Sequence, residues 1–380
     1  MIEPLEFLAA LETLEVRFAT GVPDSLLKDV CACLTDRFPK ERHVIAANEG
    51  AAAGLAIGHY LATGRPALVY LQNAGLGNVV NPVASLADPQ VYGVPMLLMV
   101  GWRGEILPGG AQLRDEPQHV KQGQITLAQL DVLGVPYRVV DGRTPAAEPV
   151  LRELLELALA RSGPAALVVR KQTFSPYRLP PAAETAVLTR EAAIRAIVAA
   201  LPDNLPVVAT TGMASRELFE LRAAAGGGHA RDFLTVGGMG FASQIAAGIA
   251  LVRPGQKILC LDGDGAALMH LGGLTTGADC PNLLHVVLNN GAHDSVGGQP
   301  TKGAVLDFAA LARACGYARA ARAATAEEVG ARLGELLSGT GSALLEIQCR
   351  RGHRPDLGRP TRTPAQARDD FMRHLRENQP

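Results

Sequence analysis

Short runs of consecutive apolar residues alternate along the chain with longer stretches of helical, one-sided hydrophobicity. Residues 67–71, 96–100, 165–169, 258–261 and 283–288 carry almost no polar side chain, the pattern of strands buried on both faces of a sheet. In order, the first half reads as a helix at 3–14, a strand at 17–20, a loop at 21–25 leading into a helix that runs through 33, a strand at 43–46 and a helix at 50–62. Strands at 67–71 and 96–100 follow, then a glycine- and charge-rich loop at 101–122, a helix at 127–133, a strand at 137–140, a helix at 146–161 and a strand at 165–169. Alternating strand and helix at this spacing predicts a parallel sheet. Residues 174–186, with Pro176, Pro180 and Pro181, read as a linker. A second run of the same kind comes next: helix 191–200, strand 207–209, loop 210–215, a helix, a strand, then the apolar runs at 258 and 283, helices at 308–315 and 326–337 and a strand at 343–347. The basic, proline-containing segment from Arg350 ends in a helix-like stretch.

The expected fold class is therefore α/β, with two domains that are each a parallel sheet covered by helices. Their expected bounds are 1–175 and 189–365, joined by a linker at 176–188 and followed by a C-terminal helical tail at 366–380. No residue-level repeat relates the halves. The length itself favours two cores over one, at 380 residues.

Composition narrows the function classes. With 36 basic and 37 acidic side chains, nothing in the charge balance points to nucleic acid or an anionic membrane. The six cysteines, at 31, 33, 260, 280, 315 and 349, lack the paired spacing of a zinc site or disulfide framework, so reduced thiols in a cytoplasm are expected. The first residues are acidic and amphipathic without a basic region, which argues against a signal peptide, and no apolar run reaches membrane-spanning length.

The candidate chemistry concentrates at 258–301, read as strand, loop, helix, strand. Gly263, Asp264 and Gly265 follow the first strand, and Asn289 and Asn290 end the second. Both motifs then fall at carboxyl ends of parallel strands, where open α/β sheets bind ligands. A carboxylate and an amide oxygen are hard ligands suited to Mg²⁺, which keeps positions for phosphate oxygens, so a diphosphate is implied. The glycines let a backbone approach it closely. A dinucleotide fingerprint would need a third glycine where Leu268 stands, which disfavours a nicotinamide dehydrogenase. An ordinary turn and a strand-end cap remain the plain alternatives for the two motifs taken singly.

Together, Gly-Asp-Gly and Asn-Asn about twenty-five residues apart resemble the signature of the thiamin diphosphate enzymes. The resemblance implies Asp264, Asn290 and the backbone carbonyl of Ala292 as Mg²⁺ ligands, with Gly263, Gly265 and Ala266 beside the diphosphate. It implies that Glu49, after a strand and before a small-residue helix, bonds a pyrimidine nitrogen of the cofactor, although a carboxylate in a first helical turn has its own electrostatic reason. Gly238 and Met239 would lie under the bent cofactor, where a methionine is otherwise core filler. Thr211, Gly212 and Ser215 would meet the diphosphate, a helix cap being the alternative. Because Glu49 and Asp264 belong to different domains, the family's arrangement implies a homodimer or higher homo-oligomer with active sites at the subunit interface.

Among compact members, the chain resembles the phosphonopyruvate decarboxylases, and next the sulfopyruvate decarboxylases, in GVPDSLL at 21–27, NEGAAAGLAIGHYLATG at 48–64, YLQNAGLGNVVNP at 70–82, DEPQHVKQG at 115–123, TTGMASREL at 210–218 and NNGAHDSVGGQPT at 289–301. This implies decarboxylation of 3-phosphonopyruvate to phosphonoacetaldehyde in phosphonate biosynthesis. Another 2-oxo acid decarboxylase, a carboligase or a non-catalytic subunit would be the other outcomes. A substrate with two anionic ends needs cationic or multiple-donor groups. Arg103, Arg114, His119 and Lys121 are expected in the loop after Val100, with His293 and Ser295 after the metal ligands. Asp24, Ser25 and Asn73 are expected to meet the substrate, Ser25, Asn73 and His293 as catalytic candidates alongside Glu49. Gln72 and Asn73 stand where many 2-oxo acid decarboxylases carry paired histidines.

Overall fold

The computed structural model describes residues 1–180 and 186–378, so residues 181–185 of the expected linker lie outside it. The chain forms two compact units, Met1–Pro181 and Ala182–Pro380.

The first unit contains β1 (Ala19–Gly21), β2 (His43–Ile45), β3 (Leu68–Gln72), β4 (Met96–Gly101), β5 (Tyr137–Val140) and β6 (Pro164–Val169). They form one parallel sheet in the order β2-β1-β3-β4-β6-β5. Every residue of β4 and β6 is buried, because helices cover both faces, and this is why the strands read as unbroken apolar runs. Side chains alternate between two cores: Leu68, Tyr70, Leu97 and Met99 enter one, Val69, Leu71, Leu98 and Val100 the other. On the second face the helix Glu49–Thr63 packs through Ala52, Ala53 and Ala56, whose short side chains permit close approach. Asn48 caps its start by accepting the Ala51 N–H at 2.9 Å, and Gly64, at φ 68°, ends it.

In the second unit the strands are β7 (Val207–Ala209), β8 (Asp232–Leu234), β9 (Ile258–Gly263), β10 (Leu283–Asn289), β11 (Ala292–His293), β12 (Gln299–Pro300), β13 (Arg319–Ala323) and β14 (Ala343–Gln348). Six of them form a parallel sheet in the order β8-β7-β9-β10-β14-β13, while β11 and β12 make a short antiparallel ribbon. Taken in chain order within each unit, the two sheets have the same strand permutation. In both, the first strand has the second on one side and the third on the other, which opens a crevice at the carboxyl edge.

The sequence reading fails where periodicity is weak. The helix expected at 127–133 spans Pro117–Val132. Its early turns, PQHVKQGQ, carry too little apolar content to register, although Pro117 suits a first helical turn. His119 and Lys121 are therefore on a helix and not in the loop after Val100. The strand β13, RAARA, is an edge strand without an apolar run, and the short helix Leu76–Pro82 went unread. The last helix, Pro364–Glu377, packs Phe371 against Phe233 of β8, with ring centroids 5.6 Å apart, and so joins the second unit's core. Among the described residues, no helix is long and apolar enough to cross a membrane.

His43 begins β2 at the edge of the first sheet, its Nε2 2.9 Å from the Tyr70 hydroxyl, and burial pushes its pKa down to about 4. The unfolded chain, with histidine near pKa ~6.5, binds this proton first, so folded stability falls as pH drops from about 6.5 to about 4. In urea unfolding, His43→Gln is expected to lose about 2 kcal/mol less than the unsubstituted protein between pH 7 and pH 4.5. Equal losses would show that His43 is not held neutral.

Candidate active site

At the carboxyl edge of the second sheet, β9 runs directly into Asp264 and β10 into Asn290. The Asp264 side chain is 2% exposed. Its Oδ2 accepts a hydrogen bond from the Thr301 hydroxyl. Burial raises its pKa to about 6, against the pull of Thr301 and of backbone N–H groups that include Gly265 and Asn290. These donors are neutral, so a carboxylate here is incompletely compensated, and a divalent cation is the chemistry that would complete it. A side chain at Gly303 would strike Asp264 Oδ2 and Asn289 Oδ1, so only glycine lets this corner close.

The two asparagines divide their tasks. Asn289 is buried and donates to the Gly303 carbonyl and to Glu346 Oε1, both at 2.8 Å, bracing β10. Asn290 donates from Nδ2 to Asp294 Oδ2 at 2.6 Å and accepts the Ala292 N–H on Oδ1 at 3.1 Å. Ala292 opens β11, and His293 beside it lies against Gly265, where an added Cβ would come within 3.1 Å of its ring. Burial pushes the His293 pKa down to about 4, leaving it neutral near pH 7.

The loops after β7 and β8 border the same edge of this sheet. Gly212, at φ 94°, has Ser295 as its neighbour across the gap. Ser215 donates to the Thr210 carbonyl at 2.6 Å, committing its proton inside the loop. Thr210, which the sequence reading passed over, is buried with a hydroxyl that meets no hydrogen-bond partner among the described residues. Gly238, at φ 67°, gives the turn that carries the half-buried Met239.

In the first unit, Asp24, Ser25, Asn73 and Arg103 come together at the carboxyl ends of β1, β3 and β4. Asp24 is fully buried, accepting from Gln72 Nε2 at 2.5 Å and from the Leu26 N–H at 2.7 Å. Burial nonetheless raises its pKa. Arg103 grips Asp115 with Nε and Nη2, at 2.7 and 2.5 Å, and donates from Nη1 to the Ser25 hydroxyl at 2.7 Å. Asn73 gives both amide hydrogens away, to the Arg103 carbonyl and Thr126 Oγ1 at 2.9 Å, so it holds the β4 exit in place. His119 is buried, its pKa pushed down to about 4 by desolvation and then by Arg103. Arg114 and Lys121 are exposed.

Glu49 starts its helix after β2 and is buried, accepting from Asn78 Nδ2 at 2.6 Å. A Cβ on Gly75 would collide with its carboxyl, so glycine in the short turn after β3 makes room for this acid. Asn78, Gly75, Thr301 and Asp294 were all missed by the sequence reading. The three side chains count through what they hold and Gly75 through the room it leaves, and spacing alone carries no sign of either.

Residues 6–130 match the family described as thiamine pyrophosphate enzyme, N-terminal TPP binding domain, and residues 210–347 match its C-terminal TPP binding domain. The chain is 36% identical over 391 residues to phosphonopyruvate decarboxylase of Streptomyces viridochromogenes, covering 98% of this chain and 94% of that protein. It is 32% identical over 399 residues to phosphonopyruvate decarboxylase of Streptomyces hygroscopicus, covering 100% and 96%. Sulfopyruvate decarboxylase of Methanosarcina acetivorans is 26% identical over 340 residues, 83% of this chain and 82% of that one. With both cofactor domains matched, and relatives that share its whole length, this chain belongs to the thiamin diphosphate-dependent enzyme family, in its decarboxylase branch.

Proposed function

We propose that the chain converts 3-phosphonopyruvate to phosphonoacetaldehyde and CO₂ with thiamin diphosphate and Mg²⁺, as a step of phosphonate biosynthesis. The observation that carries this reading is the likeness to two phosphonopyruvate decarboxylases over nearly the full length of each chain. Asp264, Asn290 Oδ1 and the Ala292 carbonyl hold the metal in this reading. Gly263, Gly265, Ala266, Thr211, Gly212 and Ser215 border the diphosphate, with the free hydroxyl of Thr210 as a further donor. Gly238 and Met239 would support the ring, and Glu49 would hold a proton at the pyrimidine. Thiamin diphosphate supplies the nucleophilic carbon and the electron sink that no side chain offers. A homodimer or larger homo-oligomer with active sites at the subunit interface is part of the proposal.

For the substrate, Arg103 is the group that best fits an anionic end. Three of its five N–H groups are used on Asp115 and Ser25, and two remain. Asp115 and Ser25 fix its plane before substrate arrives, which lowers the ordering cost of binding. Asp24, through Gln72, and Asn73 keep the strand exits in register beneath it. Arg114 and Lys121 add exposed positive charge, His119 a neutral imidazole, and His293 is the proton-relay candidate for the final step. Sulfopyruvate is the second reading, favoured by the likeness to the Methanosarcina enzyme.

Release of CO₂ from phosphonopyruvate is expected to need both thiamin diphosphate and Mg²⁺, and to exceed release from sulfopyruvate under the same conditions. Glu49→Gln is expected to lower kcat by about 10²–10⁴-fold, the range for a positioned acid–base group. Activity that survives both cofactor removal and this substitution sinks the proposal. A faster rate with sulfopyruvate would transfer it to the sulfonate.

Arg103→Lys, which cannot keep the planar fork on Asp115, is expected to raise KM for phosphonopyruvate about tenfold or more with a smaller change in kcat. Steady-state kinetics with an unchanged KM would remove Arg103 from the substrate site.

A further inference from the structure

Asp294 Oδ2 accepts three hydrogen bonds: from Asn290 Nδ2 at 2.6 Å, from Arg190 Nη1 at 2.8 Å and from the Gly352 N–H at 3.0 Å. Arg190 is itself buried, and its Nε and Nη2 make a bidentate pair with Glu217 at 2.8 and 2.9 Å. A continuous chain, Glu217 to Arg190 to Asp294 to Asn290, thus leads from the core of the second unit to the carboxyl end of β10.

The side-chain amide of asparagine can rotate by half a turn, exchanging an oxygen that accepts for a nitrogen that donates. Only the oxygen can ligate a cation. A carboxylate accepts and never donates when ionised, so its contact with Asn290 fixes Nδ2 on the Asp294 side. The oxygen must then face the other way, where the Ala292 N–H takes one lone pair and leaves the second free. Donation to a charged acceptor also draws electron density toward the amide oxygen, which strengthens it as a ligand.

We infer that Asp294, held by Arg190, is a positioning residue that sets the Asn290 amide with its oxygen toward the divalent cation. The inference rests on the metal-binding reading of Asp264 and Asn290. Arg190, far from Asn290 in sequence and at the start of the unit's first helix, serves the same task.

The test uses full-length protein with thiamin diphosphate, and reads Mn²⁺ binding from the electron paramagnetic resonance of the free ion. Asp294→Ala is expected to weaken Mn²⁺ by about 10–100-fold, the range for loss of an outer-sphere partner. At saturating metal its kcat should return to within about threefold of the parent, which a general structural lesion would not allow. Asp294→Asn keeps one acceptor oxygen and should fall between the two. Should the alanine variant fail to fold, the asparagine variant decides. Mn²⁺ affinity within twofold of the parent overturns the inference. Asp264→Asn is the reference: if it abolishes Mn²⁺ binding while the Asp294 variants bind normally, the positioning role alone fails. If Asp264→Asn also binds normally, the metal site itself is misassigned and the inference falls with it.

Discussion

Carboxylates buried at the carboxyl edges of two parallel sheets are the constraint on which the rest of this chain depends. Taking an acid out of water is costly unless donors or a cation replace the solvent. Asp24, Glu49 and Asp264 are each buried at a strand exit or just beyond one. Each is met by a side-chain donor on another segment: Gln72, Asn78 and Thr301. Each also lies against a glycine, Gly101, Gly75 and Gly303, at which a Cβ would strike the carboxyl. Acid, donor and glycine come from different stretches of chain, so the geometry exists only once the sheets have formed.

The strands behind these edges serve the core. Their residues are apolar, buried on both faces, and replaceable within limits of volume. The polar groups sit at the exits, where a few of them are fixed by one another. Arg103 illustrates the principle, since Asp115 and Ser25 hold it in one plane while two N–H groups stay available. The second unit applies the same device to an amide, through Asp294 and Arg190.

This division also explains what could be read from the residues alone. Both sheets were legible because a strand covered by helices on two sides must be apolar throughout, as 96–100 and 165–169 are. The Gly-Asp-Gly and Asn-Asn motifs stood out because each follows directly on an apolar run, and the structure puts them at the carboxyl ends of β9 and β10. The helix Pro117–Val132 was misread because its first turns are polar in sequence and are held by tertiary contacts such as that of the Trp102 indole N–H, which donates to the Gly123 carbonyl at 2.9 Å. Thr301, Asn78 and Asp294 stayed hidden because a single threonine, asparagine or aspartate, whether in a loop or on a short helix such as Leu76–Pro82, has no signature until its partner is known.

The shared strand permutation of the two sheets has a consequence for economy of design. One set of connections serves twice beneath different residues, so the two units are told apart by the side chains carried just past the strand ends, a buried glutamate at Glu49 in one and a buried aspartate at Asp264 in the other.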